Sequence, residues 1–325
     1  GAAVPDTADP VTGLPVVSLY GERMAPATDD LRNLDGVLFD VPDVGARFYT
    51  YAWTLTHLID VCAEAGIPVW VLDRPNPLGG ILEMAEGPAL QRAHASFIGR
   101  LGIPVRHALT LGELGRLWQR ERQPVSDVRV IRCDGWRRHL LWPQTGLPFV
   151  PTSPAIGSFD AALLYPGLCV FEATNLSVAR GTGASFRAVG APWLDVQPVL
   201  DRLASRFLPG ILTRPGHFTP GTGPHAGVRC SAVCLEVDDP EAVRPVAAGI
   251  ALLADVAATH GEFSWQPYPT VANPSGAGHL ERLLGTAAVG EAVTRDPSAV
   301  SDAVIRAWVA EPGWADRCQE VLLYE

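Results

Sequence analysis

The chain has 325 residues, 47% hydrophobic and 18% charged, with a net charge of −10 and a pI near 5.3. That length supports one large domain or two ordinary ones around a substantial core, and the acidity argues against a nucleic-acid backbone or an anionic membrane as partner. All 25 basic residues are arginine, which excludes a lysine Schiff base, a P-loop lysine and a lysine general base.

LPVVSLYG at 14–21 reads as a first strand and DGVLFDVPD at 35–43 as a second. TYAWTLTHLIDVCAEAG at 50–66 is amphipathic and ends on Gly66, as a helix C-cap should. IPVWVLDRP at 67–75 is a third strand, and the unbroken hydrophobicity of PVWVLD suits one covered on both faces. TLGELGRLWQRER at 110–122 opens with Thr110 and Glu113 at capping-box spacing, and VRVIRC at 128–133 is a fourth strand. The alternation predicts an α/β fold: a Rossmann-like, mostly parallel sheet domain over residues 1–157.

The Pro-rich stretch WPQTGLPFVPTSPAIGS, 142–158, is the expected boundary. Beyond it, 162–186 reads as strand-like and then Gly- and Thr-rich. A helix follows over 192–207 with Pro192 near its first turn, then a strand over 227–239, a long helix over 240–261 and a last helix over 296–311. These compose a smaller α/β (α+β) C-terminal domain, 158–325.

No run of 18 apolar residues predicts a membrane span. Cys230 and Cys234 lack the second pair or the histidines of a zinc site, so the six cysteines read as buried free thiols and no metal is expected. The glycine-rich pieces 79–87, 181–185 and 221–227 lack the strand-then-helix setting of a dinucleotide loop, and no G-x-S-x-G elbow occurs. No cofactor is expected.

In an open parallel sheet, ligands gather beyond the carboxyl ends of the strands. Asp40 and Asp43 close the strand of 35–41, Asp73 and Arg74 close that of 67–72, and Glu172, Asn175 and Arg180 follow the apolar run ending at Phe171. Each has a plainer alternative. Asp43 and Asp73 can cap helices or pair with Arg47 and Arg74, and Asn76 between two prolines can hold a turn. Tyr49 and Tyr51 can bury their rings, and a lone His107 is more often structural than catalytic. Carboxylates among arginines and aromatics nonetheless suit a sugar, whose glycosidic bond is cleaved with an acid and a second carboxylate.

The motifs TGLPVVSLYG (12–21), DVGARFYTY (43–51), VLDRPNPLGG (71–80), EGP (86–88), HALTLGEL (107–114), YPG (165–167) and FEATNLSVARGT (171–182) resemble those of the NamZ-type exo-β-N-acetylmuramidases. The resemblance implies a Rossmann-like domain, a smaller C-terminal domain and a cleft between them. It also implies exo-acting hydrolysis that releases N-acetylmuramic acid from the non-reducing ends of peptidoglycan fragments, in an envelope or secreted setting. Peptidoglycan-derived amino sugars are then the partners, and a catalytically impaired muropeptide- or sugar-binding protein is the alternative.

On this resemblance Glu172 and Asp73 are the expected catalytic carboxylates, Glu172 because burial at a strand end would raise its pKa. Arg47, ahead of Arg74 and Arg180, is the expected partner of the lactyl carboxylate. Asp43, Tyr49, Tyr51, Asn76, Glu86, His107 and Asn175 complete the expected substrate site. Alanines at 108, 173 and 179 stand where the family usually has glycine, which is expected to forbid left-handed backbone there and reshape the site. The family also carries an upstream region ending in Ser-Pro-Glu-His-Gly, so Gly1 reads as an internal start.

Overall fold

The computed structural model describes residues 5–19, 23–122, 127–271 and 273–325. Of the expected strand at 14–21 only β2 (Pro15–Val16) forms, paired antiparallel with β1 (Thr7–Ala8); residues 20 and 21 lie outside the described residues. β3 (Val37–Phe39), β4 (Val69–Leu72) and β5 (Val128–Ile131) then make a parallel sheet in that order. Their crossovers are α1 (Tyr51–Ala65) and α2 (Leu111–Glu121), as parallel neighbours require. Gly66 ends α1 with φ 70°, and Thr110 and Glu113 exchange both capping-box bonds at the start of α2.

Val69 and Val71 pack beneath Leu55, Ile59, Leu117 and Trp118 from the two helices. The opposite face of this sheet is not covered in the same way among the described residues. Leu38 is 66% and Ile131 53% exposed, Trp70 and Leu72 are half-buried, and Arg129 lies over the Trp70 ring at 5.1 Å. The expectation of a strand buried on both faces is corrected accordingly.

The stretch expected to continue as a strand at 162 is instead α3 (Phe159–Leu168), capped by Ser158 accepting from the Ala161 N–H. Every residue from Ala161 to Leu168 is buried, so the segment has no polar face, and an all-apolar run carries no period to separate strand from helix. Pro166, lacking an N–H, sits in its last turn, and the chain tightens into a 3-10 turn over Cys169–Ala173. Glu172 therefore rides on a turn after a helix rather than on a strand tip.

β6 (Ala188–Ala191), α4 (Val196–Leu203), β7 (Ile211–Phe218) and β8 (Cys230–Val237) follow, and the three strands form an antiparallel sheet ordered β6-β8-β7. β7 contains Pro215, tolerable because it lies on the sheet edge. α5 (Pro245–Thr259) crosses α3 so closely that a Cβ on Gly167 would overlap the Pro245 carbonyl oxygen, and one on Gly249 the Gly167 carbonyl oxygen. α6 (His279–Leu284), α7 (Ala288–Arg295), α8 (Asp302–Val309) and α9 (Trp314–Cys318) complete the helices.

After α9 the chain returns to the first sheet. Trp314, Cys318 and Val321 enter its core, the Leu323 N–H bonds Glu113, and Arg138 N–H bonds the Glu325 carbonyl. Residues 314–325 thus pack with the first half of the chain. The six cysteines are free, and no helix of the described residues is long and apolar enough to cross a membrane.

Candidate functional site

Several residues expected at the site spend their polar atoms on the fold. Arg47 is fully buried and donates to the carbonyls of Pro88 and Ile103 at 2.6 Å and of Leu283 at 2.7 Å. Burial pulls its pKa down to about 9, which leaves it charged at neutral pH and tying α6 to the first half. Asp73 accepts from Thr110 Oγ1 at 2.6 Å, Tyr324 OH at 2.7 Å, Gly112 N at 2.8 Å and Arg74 N at 3.1 Å. Both of its oxygens are filled, and burial raises its pKa in spite of those donors.

Arg74 turns outward and grips Asp40 through two donors at 2.9 and 2.6 Å. Asn76 donates to the Leu109 carbonyl and accepts from the Leu78 N–H, each at 2.9 Å. Glu86, buried, accepts from Val246 N and Ala247 N in the first turn of α5, where the exposed helix amides favour an anion. Asn175 clamps the 262–264 segment, donating to the Glu262 carbonyl at 2.7 Å and accepting from Ser264 N at 3.1 Å.

The remaining expected residues fall into two groups joined by aromatic rings. Asp43 accepts from Gly45 N at 2.9 Å, and its Oδ2 lies 3.6 Å from Nε2 of the buried His107. Tyr51 meets Tyr49 edge-on at 5.0 Å, and Tyr49 donates to the Thr152 carbonyl at 3.0 Å. Tyr165 stands edge-on to Tyr49 at 6.1 Å and to Phe186 at 4.8 Å, and the Arg180 guanidinium lies 4.8 Å over the Phe186 ring.

On the far side, Arg180 donates through Nε and Nη2 to one oxygen of Glu172, the former at 2.8 Å. Tyr268 OH and Cys169 Sγ each lie 3.4 Å from Glu172, and His279 Nε2 is 3.8 Å away. The Tyr268 and His279 rings stack at 4.6 Å. Burial alone would raise the Glu172 pKa, but His279 and Arg180 outweigh it and hold the carboxyl below its ordinary value. The expectation of a raised acid is corrected: this carboxylate is kept ionised. It can answer developing positive charge or act as a base, and it is a poor proton donor.

Asp73 lies apart from this group, bonded to α2 and the chain's last turn. Tyr165, Tyr268 and His279 were missed from the sequence. Tyr268, set between Pro267 and Pro269, was the one with a usable signal, since that setting fixes a rigid turn.

Two of the three alanines expected to be barred from left-handed backbone adopt it: Ala108 with φ 57° beside His107, and Ala179 with φ 59° beside Arg180. Arg138 holds the Ala108 carbonyl at 2.7 Å, and Thr182 holds that of Ala179 through its hydroxyl at 2.8 Å. Such backbone costs an alanine about 1–2 kcal/mol.

Residues 1–160 match the description "Exo-beta-N-acetylmuramidase NamZ, N-terminal", and residues 163–324 match its C-terminal counterpart. The peptidoglycan beta-N-acetylmuramidase NamZ of Bacillus subtilis (strain 168) is 39% identical over 248 residues, which are 76% of this chain and 59% of that protein. The chain thus spans less than two thirds of that relative's length. Crystal structures of two DUF1343 family proteins from Bacteroides fragilis NCTC 9343 superpose on 98% of this chain and 82% of theirs. Their TM-scores are 0.87 and 0.73, at 26% and 27% identity. With both halves matched, this chain belongs to the NamZ family of exo-β-N-acetylmuramidases.

Proposed function

We propose that this chain is an exo-acting glycoside hydrolase that releases N-acetylmuramic acid from the non-reducing ends of peptidoglycan fragments. Family membership supports the reaction class, and the observation that carries the site is the buried Glu172, held below its ordinary pKa and paired with Arg180 among Tyr165, Phe186 and Tyr268. Glycosidic cleavage passes through an oxocarbenium-like transition state. An anion preset in a low-dielectric surround stabilises that positive charge without reorganising when it forms. In this reading Glu172 supplies the anion.

Arg180 has a double task. Its Nε and Nη2 hold Glu172, while Nη1 makes no hydrogen bond among the described residues. That leaves one donor edge for the lactyl carboxylate beside Glu172, whereas Arg47 is fully buried on backbone carbonyls and Arg74 turns outward to Asp40. In the same reading Asp43, His107, Tyr49 and Tyr51 hold sugar hydroxyls and the acetamido group.

The test is turnover of a chromogenic N-acetylmuramic acid β-glycoside. Wild type is expected to release the chromophore, and Glu172→Gln to lose at least about a hundredfold in kcat/KM, the scale of removing one preset charge partner. A wild type without turnover, or a Glu172→Gln variant as active as wild type, would sink the reading.

A further inference from the structure

Beside the Glu172 group lies a cavity of about 630 Å³, open to solvent, whose inner wall is Ala173 and His279. The residues preceding Glu172's partner Tyr268 build its side: Gln266 N–H bonds the Ala173 carbonyl and Asn175 N–H bonds the Ser264 carbonyl. That pairing fixes Trp265 in the cavity lining. Its indole N–H bonds Thr294 Oγ1 at 2.9 Å and Phe263 meets its ring edge-on at 5.1 Å, so the orientation is set from two directions.

Around this ring stand Gln266, Glu281, Glu291 and Arg295. Glu281, Glu291 and Arg295 make no side-chain hydrogen bond or ion pair among the described residues. His279 is buried and lines the cavity, with its Nε2 3.8 Å from Glu172 Oε2. Three charged side chains are thus left uncommitted beside an immobilised indole. Cavities of about 300–1,000 Å³ with a few converging polar groups are of ligand-binding size.

We infer that this cavity is a saccharide subsite in which a neutral pyranose ring packs its C–H face on Trp265. The apolar face of a pyranose matches an indole, and its ring of hydroxyls can both donate to Glu281 and Glu291 and accept from Arg295 and Gln266. Two carboxylates against one guanidinium select a neutral sugar over an anionic one. Resting on the function proposed above, the occupant is the N-acetylhexosamine on the leaving-group side of the scissile bond. His279 then stands between that sugar and Glu172.

Calorimetry with N,N′-diacetylchitobiose, a neutral β-linked amino-sugar disaccharide, tests this separately from turnover. Wild type and Glu172→Gln are expected to bind alike, and Trp265→Ala to bind at least about tenfold more weakly, the scale of losing an aromatic anchor. Glu291→Ala, a change on the exposed rim, is expected to weaken binding several-fold and serves if Trp265→Ala does not fold. Absence of binding by wild type, or equal binding by the folded variants, overturns the subsite. Binding as described in a chain that never cleaves a muramic acid glycoside would leave the subsite standing and remove only the reaction.

Discussion

At Ala179 a single dihedral angle carries a cost that a glycine would not bear. With φ 59° beside Arg180, the alanine is held by its neighbours' hydrogen bonds and not by its own preference. Ala179→Gly is expected to raise stability by about 1 kcal/mol, read as a higher melting temperature, since the relieved strain exceeds glycine's extra chain entropy. Glu172 gives a prediction of opposite kind. A carboxyl held below its usual 4.5 in the folded state contributes stability that is complete above that value and is lost as pH falls through the folded pKa. Unfolding midpoints of wild type should therefore drop more steeply than those of Glu172→Gln below pH 4.5; parallel curves would mean the pair is not ionised. Glu172 and Arg180 stand out in the sequence because they follow an apolar run and lie in one family-like motif, 171–182. Arg47 and Asp73 read the same way in the sequence, yet their polar atoms bond within the fold, because sequence cannot say whether the partner of a polar group is a ligand or a distant carbonyl such as that of Leu283.

Among elements, α3 and its following turn decide where Glu172 lies. The capping box of α2 and the Gly66 stop of α1 were legible because each is a local exchange between neighbours three or four residues apart. The helical state of 159–168 was not, because its evidence lies in α5, about eighty residues later, where Gly249 meets Gly167. Gly249→Ala would place a methyl against a backbone carbonyl that has no side-chain freedom to yield. A loss of about 3 kcal/mol or more in urea unfolding is expected, at the upper end of overpacking costs, with a fall in Glu172-dependent turnover as the turn is displaced. An unchanged midpoint would show that the two helices are not in backbone contact.

For the molecule as a whole, long-range polar ties hold distant parts of the chain together. Arg47 reaches α6 and Glu86 caps α5, and Tyr324 comes back to Asp73 from the other end of the chain. Tyr324→Phe leaves Asp73 one donor short in a buried place and should cost about 1–2 kcal/mol in denaturant unfolding. The same substitution made on an Asp73→Asn background should cost clearly less, since adjacent groups couple. Equal costs in both backgrounds would refute the tie.

That last tie sets an order on biosynthesis. Strands and helices of the first sheet are made early, but Asp73 and Glu113 take Tyr324 and Leu323 as partners only once that segment, more than two hundred residues later, has been made. Until then the part that is made first carries two carboxylates each short of a donor.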